Sequence, residues 1–362
     1  MKKLLVIFAI LFFAAPAMAA DWTFYGSSRF TTFYTTVDTD VEGADDITNT
    51  QWESQNNSRI GAKVKVNDQI GGRFEMSDSF GKRLLFGTYT TGGSQILIGQ
   101  MYTPASEYFY STSVFDGDGA LKGLGQFYTG RLEMIRWRMG GLKIALVNPS
   151  TKVEKTANAA AFDRTEVILP KIELAYQFKA DTFFADIYGG YNTFDIMEYD
   201  TGAGTKDVSV NSYVLGLGGG MNFNALYFKI GGHIGQNLGN YGSYHAKLGG
   251  LPAIDDYMNI SATGEEKDNT SYGALAVVGF NISERWAIEA GAGYMEAEDD
   301  IDGAEGENVM QVYLNTTANI APGFFIVPEI GYATYDYEKD PTTGLDPNPS
   351  VLYVGAKWQI NF

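Results

Sequence analysis

The sequence predicts an all-β fold, a transmembrane antiparallel β-barrel of sixteen strands with short turns at one end and long loops at the other. Three observations predict it. Apolar and polar residues alternate along many segments, which is typical of strands with one apolar face. Short and long connections follow one another in turn along the chain. Aromatic residues make up 14% of the chain, and many lie near the ends of predicted strands, where a membrane barrel has its aromatic girdles.

Residues 1–19 are predicted to be a signal peptide. The segment has a basic start, "MKK", and an apolar core, "LLVIFAILFFAA", of the usual length. Ala17-Met18-Ala19 supplies the small residues of a cleavage site, so the mature chain is expected to begin at Ala20, within about one residue. A membrane-anchoring helix is the alternative interpretation of this segment. Residues 20–362 show no linker and no change in composition, and we predict that they form a single barrel domain.

The C-terminal segment shows the alternation most clearly. In "YVGAKWQINF" every second residue is apolar, and the residues between them are polar or glycine. The same period recurs in "SRIGAKVKV", "KIELAYQF", "WAIEAGAGY" and "NVMQVYLNTT", which are rich in residues that favour strands. Pro328 interrupts a similar segment, and a bulge or a missing ladder hydrogen bond is expected there because proline has no N–H to donate. After residue 19, no apolar run approaches the ~20 residues that a spanning helix needs.

The connections divide into two classes by length. Seven short turns are predicted near 67–71, 90–94, 139–141, 179–181, 219–222, 281–285 and 321–323. Eight outer connections are predicted near 37–57, 78–83, 101–130, 148–167, 192–207, 236–268, 295–307 and 336–349. Open sheets rarely exceed about ten strands, so a sheet of this size must close or split. A soluble sandwich would bury the aromatic faces, whereas a barrel in lipid turns them outwards, and the separation of long from short connections favours the barrel.

Charge and composition exclude several classes of function. The net charge is −17, which argues against a nucleic-acid partner because the phosphate backbone is itself negative. The glycines of "GLGGG" at 216–220 do not open a helix, so they are not a dinucleotide site. The chain has no cysteine, and its two histidines, His233 and His245, have no recognisable partners in the sequence. We therefore predict no catalytic residue, no metal ligand and no cofactor.

Several segments, in order along the chain, resemble one known family. "DWTFYGSSRF" is similar to the opening strand of the general diffusion porins of Gram-negative bacteria, and "SRIGAKVKVNDQIGGRFEM" is similar to the hairpin that follows it. "LLFGTYTTGGSQILIGQMYTP" resembles the hairpin before their third loop, and "RLEMIRWRM" resembles the strand after it. The resemblance is strongest over 21–138 and 350–362. The second loop, at 78–83, is shorter than in some members.

The resemblance implies a homotrimer of sixteen-stranded barrels in the outer membrane of a Gram-negative bacterium, surrounded by outer-membrane lipid and lipopolysaccharide. It implies that the third loop, within 101–130, folds inward and narrows the lumen. It also implies that the assembly machinery of the outer membrane recognises the C-terminal strand through Trp358, Ile360 and Phe362. The implied function is passive diffusion of ions and small hydrophilic solutes through a water-filled channel.

Charged residues on the third loop and on the barrel wall are the candidate pore constriction. They are Glu107, Asp116 and Asp118 on the loop, and Arg29, Arg59, Lys63, Arg131, Arg136 and Arg138 on the predicted lumen faces of the strands. Acids that face bases across a narrow lumen produce a transverse field, which orients polar solutes and tunes the preference for ions. The alternative is that the wall bases are solvated residues of the lumen without a common role.

Two acidic outer loops leave the ion preference open. Segments 37–57 and 295–307 together hold thirteen acids and no base. These acids either attract cations to the mouth, bind divalent ions between lipopolysaccharide headgroups, or simply solubilise the surface. Because an acidic mouth and a basic wall favour opposite ions, the sequence does not predict the sign of the selectivity.

Two other functions remain open from the sequence. A substrate-specific channel for a sugar, an anion or an amino acid would use an aromatic cluster, and the region of the third loop holds Tyr102, Tyr108, Phe109, Tyr110 and Phe115. Such a channel predicts saturable uptake of one class of solute. A barrel enzyme would need a histidine within hydrogen-bond reach of a serine or an aspartate. It predicts that His233→Ala abolishes an activity without changing the conductance.

Overall fold

The computed structural model describes residues 20–41, 43–153, 162–245, 247–301, 306–337 and 347–362. The predicted signal peptide, residues 1–19, lies outside the described residues. Within the described ranges, no helix is long and apolar enough to cross a membrane.

The described part of the chain contains twenty β-strands and four short helical segments. The strands are β1 (Asp21–Asp38), β2 (Ile47–Ser54), β3 (Arg59–Lys65), β4 (Ile70–Ser77), β5 (Lys82–Thr91), β6 (Ser94–Tyr102), β7 (Arg131–Met139), β8 (Leu142–Val147), β9 (Arg164–Glu166), β10 (Lys171–Lys179), β11 (Phe183–Asp200), β12 (Thr205–Phe223), β13 (Leu226–Gln236), β14 (Asn259–Ile260), β15 (Glu266–Lys267), β16 (Asn269–Asn281), β17 (Trp286–Asp299), β18 (Glu307–Ala321), β19 (Phe324–Asp336) and β20 (Ser350–Asn361). The helical segments are Pro104–Ser106, Phe115–Asp118, Leu238–Tyr241 and Leu248–Gly250.

Eighteen of these strands form one antiparallel sheet that closes on itself. β1 pairs with β20 on one side and with β2 and β3 on the other. β2 and β3 follow one another along β1 and make a single wall strand, as β9 and β10 do along β11. The sheet is therefore a closed barrel of sixteen strands, which confirms the predicted fold class. Closure removes the free edges that an open sheet would expose to lipid.

The connections alternate in length as the sequence predicts. Turns 92–93 and 140–141 join neighbouring strands at one end of the barrel, within the predicted ranges. The turn expected near 219–222 is wrong in position, because these residues lie inside β12 and the chain turns at 224–225 instead. The long connections 103–130 and 237–268 lie at the other end.

Two strand pairs extend further outwards than the sequence predicts. β11 continues to Asp200 and β12 begins at Thr205, where a long loop was expected over 192–207. The extension buries Phe194 and Val210 in a separate apolar cluster, which explains why the paired backbone continues beyond the barrel. β2 likewise lies inside the predicted loop 37–57 and pairs with the outer half of β1.

Large apolar side chains point away from the barrel. Trp286, at the start of β17, is 48% exposed, and Leu314, in the middle of β18, is 45% exposed. Glu289 and Tyr313, on the opposite face of the same strands, are buried inside. This arrangement is the reverse of a soluble protein and fits a barrel with hydrocarbon outside and polar groups inside. Phe362 lies on the same outer surface and is exposed at the end of the chain.

The ladder has a one-sided interruption at Pro328. Pairing between β18 and β19 stops at Asn315–Glu329 and resumes at Ala318. Toward β20, the pairing of Pro328 with Ala356 is unbroken. Proline has no N–H to donate, so the missing pairs on one side confirm the expected defect.

Candidate pore constriction

The connection between β6 and β7, residues 103–130, folds into the barrel. The two ends of the connection lie together, because the hydroxyl oxygens of Ser106 and Thr129 are 2.7 Å apart. Its middle reaches the opposite wall, where the Ser113 hydroxyl donates a hydrogen bond of 2.8 Å to Glu329 on β19. We call residues 103–130 the crossing segment. The inward position of the predicted third loop is thus part of the observed fold.

Buried carboxylates on the far wall hold the crossing segment in place. Glu329 accepts hydrogen bonds from the backbone N–H groups of Val114 (2.8 Å) and Phe115 (3.2 Å). Glu289 on β17 accepts hydrogen bonds from the backbone N–H (2.6 Å) and the hydroxyl (2.5 Å) of Thr112. The backbone of the crossing segment presents donors here, which explains why this part of the wall carries acids. The four contacts fix the path of the segment across the lumen.

Apolar side chains of the crossing segment fill one side of the barrel. Phe115 stacks on Tyr353 of β20 with 3.7 Å between ring centroids, and Phe127 lies 6.1 Å from Tyr188 of β11. Leu124 is fully buried. Complete burial of side chains of this size stabilises a structure by about 1.5–3 kcal/mol each. The open space that remains lies on the other side of the segment, next to β1, β3, β5 and β7, which we call the near wall.

Asp118 joins the crossing segment to bases on the first and last strands of the barrel, β1 and β20. Its carboxylate forms an ion pair with Arg29 on β1, and its Oδ1 lies 2.8 Å from Nζ of Lys357 on β20. The side-chain amide of Asn57 donates a further hydrogen bond of 3.0 Å. Burial alone would raise the pKa of the Asp118 carboxyl, but Lys357 and Arg29 outweigh this effect and lower the pKa below its ordinary value. Asp118 is therefore ionised at neutral pH.

Glu107 forms a second contact between the crossing segment and wall bases. Its carboxylate contacts Nζ of Lys143 on β8, and its Oε2 lies 3.4 Å from Nη1 of Arg136 on β7. Lys143 also donates a hydrogen bond of 3.2 Å to the hydroxyl of Tyr108. The structure thus brings two of the three predicted acids, Glu107 and Asp118, against bases on the wall.

Arg59 belongs to a group of three arginines that share one carboxylate. Oε1 of Glu75 lies 2.8 Å from Nε of Arg83 and 3.5 Å from Nη1 of Arg59. Oε2 of the same residue lies 3.0 Å from Nη2 of Arg73. One acid cannot neutralise three guanidinium groups, so this part of the wall keeps positive charge.

Two other predicted residues lie near aromatic rings. The carboxylate of Asp116 accepts a hydrogen bond of 2.9 Å from the hydroxyl of Tyr244, and no base among the described residues forms an ion pair with it. The guanidinium of Arg131 lies 4.9 Å from the centroid of Tyr102. Both residues line the open space beside the crossing segment.

The remaining two predicted bases lie toward the short turns. Arg138 is exposed and donates a hydrogen bond of 3.2 Å to the carbonyl of Gly140 in the turn after β7. Lys63 lies opposite Arg73 in the β3–β4 ladder and is also exposed. Within the described residues, neither base forms an ion pair with an acid of the crossing segment.

A cavity of about 930 Å³ lies between the crossing segment and the near wall. Its charged lining consists of the bases Arg29, Arg59, Lys82, Arg83, Lys122 and Arg131 and the acids Glu53, Asp116 and Asp118. Its aromatic lining consists of Tyr102, Phe109, Tyr128 and Tyr244. The space is large enough for hydrated ions and small organic solutes, and its walls offer both charged and aromatic contacts.

Sequence reasoning missed Glu75, Arg83, Lys122, Lys143 and Lys357. Glu75, Lys143 and Lys357 lie on strands whose alternation places them on the polar face, so the signal was present in "RFEM", "LKIAL" and "AKWQI". Arg83 has the same period as the exposed Leu85 in "KRLLF", and it is buried because the register between β4 and β5 shifts at this point. Lys122 lies in the crossing segment, where no period exists. What the sequence could not provide is the identity of the acid that each base meets.

The two histidines have different surroundings. Nδ1 of His233 lies 3.3 Å from the carbonyl oxygen of Gly125 in the crossing segment. Nε2 of His245 lies 2.6 Å from the hydroxyl of Ser243 and 2.9 Å from Oδ2 of Asp256. The sequence alone does not predict this cluster, because Ser243, His245 and Asp256 lie in a connection without a periodic pattern. A catalytic triad uses both ring nitrogens, one for each partner, whereas both partners here contact the same nitrogen.

Comparison with known proteins identifies the fold. No family model and no curated protein matches the chain. The outer membrane channel DcaP of Acinetobacter baumannii is similar in structure with a TM-score of 0.70 at 14% identity, over 95% of this chain and 98% of that one. The anion-selective porin of Comamonas acidovorans has a TM-score of 0.58 at 12% identity, over 95% of this chain and 100% of that one. OmpF of Salmonella typhi has a TM-score of 0.56 at 11% identity, over 95% of this chain and 98% of that one. The predicted porin-type barrel fold is thereby confirmed.

Proposed function

We propose that this protein is an outer-membrane channel through which ions and small hydrophilic solutes diffuse passively, with no chemical step. A barrel of about sixteen strands encloses an aqueous lumen, which must be narrowed before it can sieve solutes. The observation that carries the proposal is the crossing segment, whose Asp118 meets the wall base Arg29 beside a cavity of about 930 Å³. Glu107 of the same segment meets two further wall bases, Arg136 and Lys143, outside the lining of that cavity. The fold shared with outer-membrane channels supports it.

The proposed constriction is the set of charges that the crossing segment and the near wall bring together. Asp118 and Glu107 lie on the segment, and Arg29, Arg59 and Arg131 lie on the wall around the open space. Separated charges of this kind produce a field across the passage rather than along it. Polar solutes that align with this field pass more easily than apolar solutes of equal size.

Flux measurements in liposomes test the proposed function. Purified protein is reconstituted, and the swelling rates in a series of uncharged sugars of increasing mass are compared. The proposal predicts rates that are linear in concentration and fall steeply with solute size. Liposomes with folded protein that swell no faster than protein-free liposomes would contradict it.

A substrate-specific channel is the second candidate, and the aromatic lining of the cavity favours it. Tyr102 and Phe109 lie 5.7 Å apart, and Phe109 and Tyr128 lie 6.0 Å apart, so that their rings form a continuous surface. In the same liposomes, saturable entry of one class of solute would support the specific channel over the general one.

We further propose that the chain is exported by cleavage after residue 19, inserted through recognition of Trp358, Ile360 and Phe362, and assembled as a trimer among lipid and lipopolysaccharide. Exposed apolar side chains on β5 and β6, such as Leu85 and Ile98, support a contact between copies, although lipid would cover them equally well. Chemical cross-linking of the detergent-solubilised protein distinguishes the two, because a trimer gives a discrete band at three times the mass of the chain.

A further inference from the structure

We propose that the cavity beside the crossing segment contains a binding station for small organic carboxylates. This inference rests on the proposed channel function and names the solute class that the lumen favours. The station is formed by Arg59, Arg83 and Arg131 on the near wall, by Gln55, and by the aromatic rings of Tyr102, Phe109 and Tyr128.

The arginines provide unneutralised positive charge inside the barrel. Arg59 and Arg83 share Glu75 with Arg73, so these three bases have one acid between them. Arg131 forms no ion pair with a described residue, and its Nε has no hydrogen-bond partner there. Guanidinium groups bind carboxylates through two parallel hydrogen bonds, and each of these side chains has N–H groups left for such a contact.

Gln55 gives an independent indication that a polar molecule belongs in the cavity. Its side chain lines the cavity and is only 3% exposed. Neither its amide oxygen nor its amide nitrogen has a hydrogen-bond partner among the described residues. A buried amide without partners is unfavourable, and a solute or a water molecule in the cavity that Gln55 lines would supply a partner.

The aromatic lining favours a carboxylate with an organic body over an inorganic anion. Tyr102, Phe109 and Tyr128 form a continuous surface next to the bases. Nζ of Lys122 lies over this surface, 5.0 Å from the centroid of the Tyr128 ring. Phosphate has no apolar surface to cover these rings, whereas an aromatic or aliphatic carboxylate places its charge on the arginines and its body on the rings.

Electrical recording from single channels in planar bilayers tests the inference. Current is measured in KCl at constant ionic strength while sodium benzoate is added, with benzamide as the neutral compound of the same shape. We expect benzoate to reduce the KCl current in a saturable manner and benzamide to have no effect at the same concentration. Arg131→Gln is expected to raise the half-saturating benzoate concentration about tenfold, because it removes a charge-assisted hydrogen bond.

Matched variants and a second anion make the outcome unambiguous. Arg285→Gln, on an exposed turn far from the cavity lining, should leave the benzoate response unchanged. Equal effects of benzoate and benzamide on the wild-type channel would overturn the inference, and so would inorganic phosphate that acts at a lower concentration than benzoate. The KCl current without benzoate tests the channel itself, so a conducting channel that ignores benzoate refutes only the station. Because the wild-type comparison needs no variant, poor folding of Arg131→Gln does not decide the question.

Discussion

Nζ of Lys357 on the last strand lies 2.8 Å from Oδ1 of Asp118 in the crossing segment, and Arg29 on the first strand binds the same carboxylate. The first and last strands pair with each other where the barrel closes. Asp118 therefore joins the crossing segment to both sides of the closing seam. The ion pairs of Asp118 therefore lie where β1 and β20 close the barrel.

Neutralising Asp118 should make the channel more selective for anions. Asp118→Asn leaves Arg29 and Lys357 uncompensated, and a unit charge at about 4 Å in water is worth about 1 kcal/mol, so the anion-to-cation permeability ratio should rise by up to about fivefold. The reversal potential across a KCl gradient measures this ratio. Asp45→Asn, on an exposed outer loop, is the control and should change it little. An unchanged reversal potential in Asp118→Asn would remove this residue from the constriction.

Loss of the far-wall acceptors should release the crossing segment. Glu289→Gln together with Glu329→Gln weakens the acceptors for the backbone N–H groups of Thr112, Val114 and Phe115. Each buried donor left unsatisfied costs about 1–3 kcal/mol, so the segment should leave its inward position part of the time. Single-channel recordings should then show larger and more variable conductance steps.

The matched control for the double variant is Glu284→Gln, in an exposed turn at the same side of the barrel. It removes an acid from the chain without touching the crossing segment. Conductance steps of the double variant that are as uniform as those of Glu284→Gln would mean that the apolar contacts of Phe115 and Leu124 alone hold the segment.

Lys122 should make anion preference depend on pH. Burial lowers its pKa from 10.5 to about 8, opposed by Asp118 and Asp116 and assisted by Arg131 and Arg83. Because Lys122 is charged below this pKa and neutral above it, raising the pH from 7 to about 9 removes a positive charge from the lumen, and the anion-to-cation permeability ratio should fall. Lys122→Gln should abolish the change over this interval. A fall of equal size in Lys122→Gln would assign the effect to another group.

The C-terminal residue should contribute to insertion as well as to the ladder. The backbone N–H of Phe362 donates a hydrogen bond of 3.0 Å to Gly26, and its carbonyl accepts one of 2.6 Å from the Gly26 N–H. Deletion of Phe362 removes both bonds and the exposed ring, so the amount of folded barrel in the outer membrane should fall several-fold, whereas Phe362→Tyr should retain it. The heat-dependent shift of the barrel in gel electrophoresis measures the folded fraction. Equal folded fractions for the deletion and for Phe362→Tyr would contradict a role for the ring.

The alternation of apolar and polar residues was sufficient to predict the fold and the faces of the wall. In the last strand it places Trp358 and Ile360 outside and Lys357 and Gln359 inside, as the structure does. The prediction succeeds because successive side chains of a strand point to opposite faces, and a membrane barrel has hydrocarbon on its outer face and water on its inner face. Loop lengths supplied the strand count, since every long connection must return to the wall through another strand.

The partners of each charge could not be predicted because the path of the crossing segment is not periodic. Asp116, Asp118, Ala120 and Leu121 all have positive φ, with values between 51° and 66°. These left-handed residues turn the chain repeatedly within a few positions, and none of them is a glycine that would reveal the turn in the sequence. Tertiary contacts with Glu329 and Tyr353 determine this conformation, and they involve residues more than two hundred positions away.

The most direct test of the account is a comparison of two neighbouring residues on β3, Arg59 on the lumen face and Ile60 on the lipid face. The chain has no cysteine, so Arg59→Cys and Ile60→Cys each introduce a single reactive thiol. The rate of reaction with a water-soluble, membrane-impermeant maleimide is measured on the protein in lipid bilayers. The account predicts fast labelling at position 59 and protection by lipid at position 60. Fast labelling at 60 together with protection at 59 would contradict a barrel with hydrocarbon outside and water within.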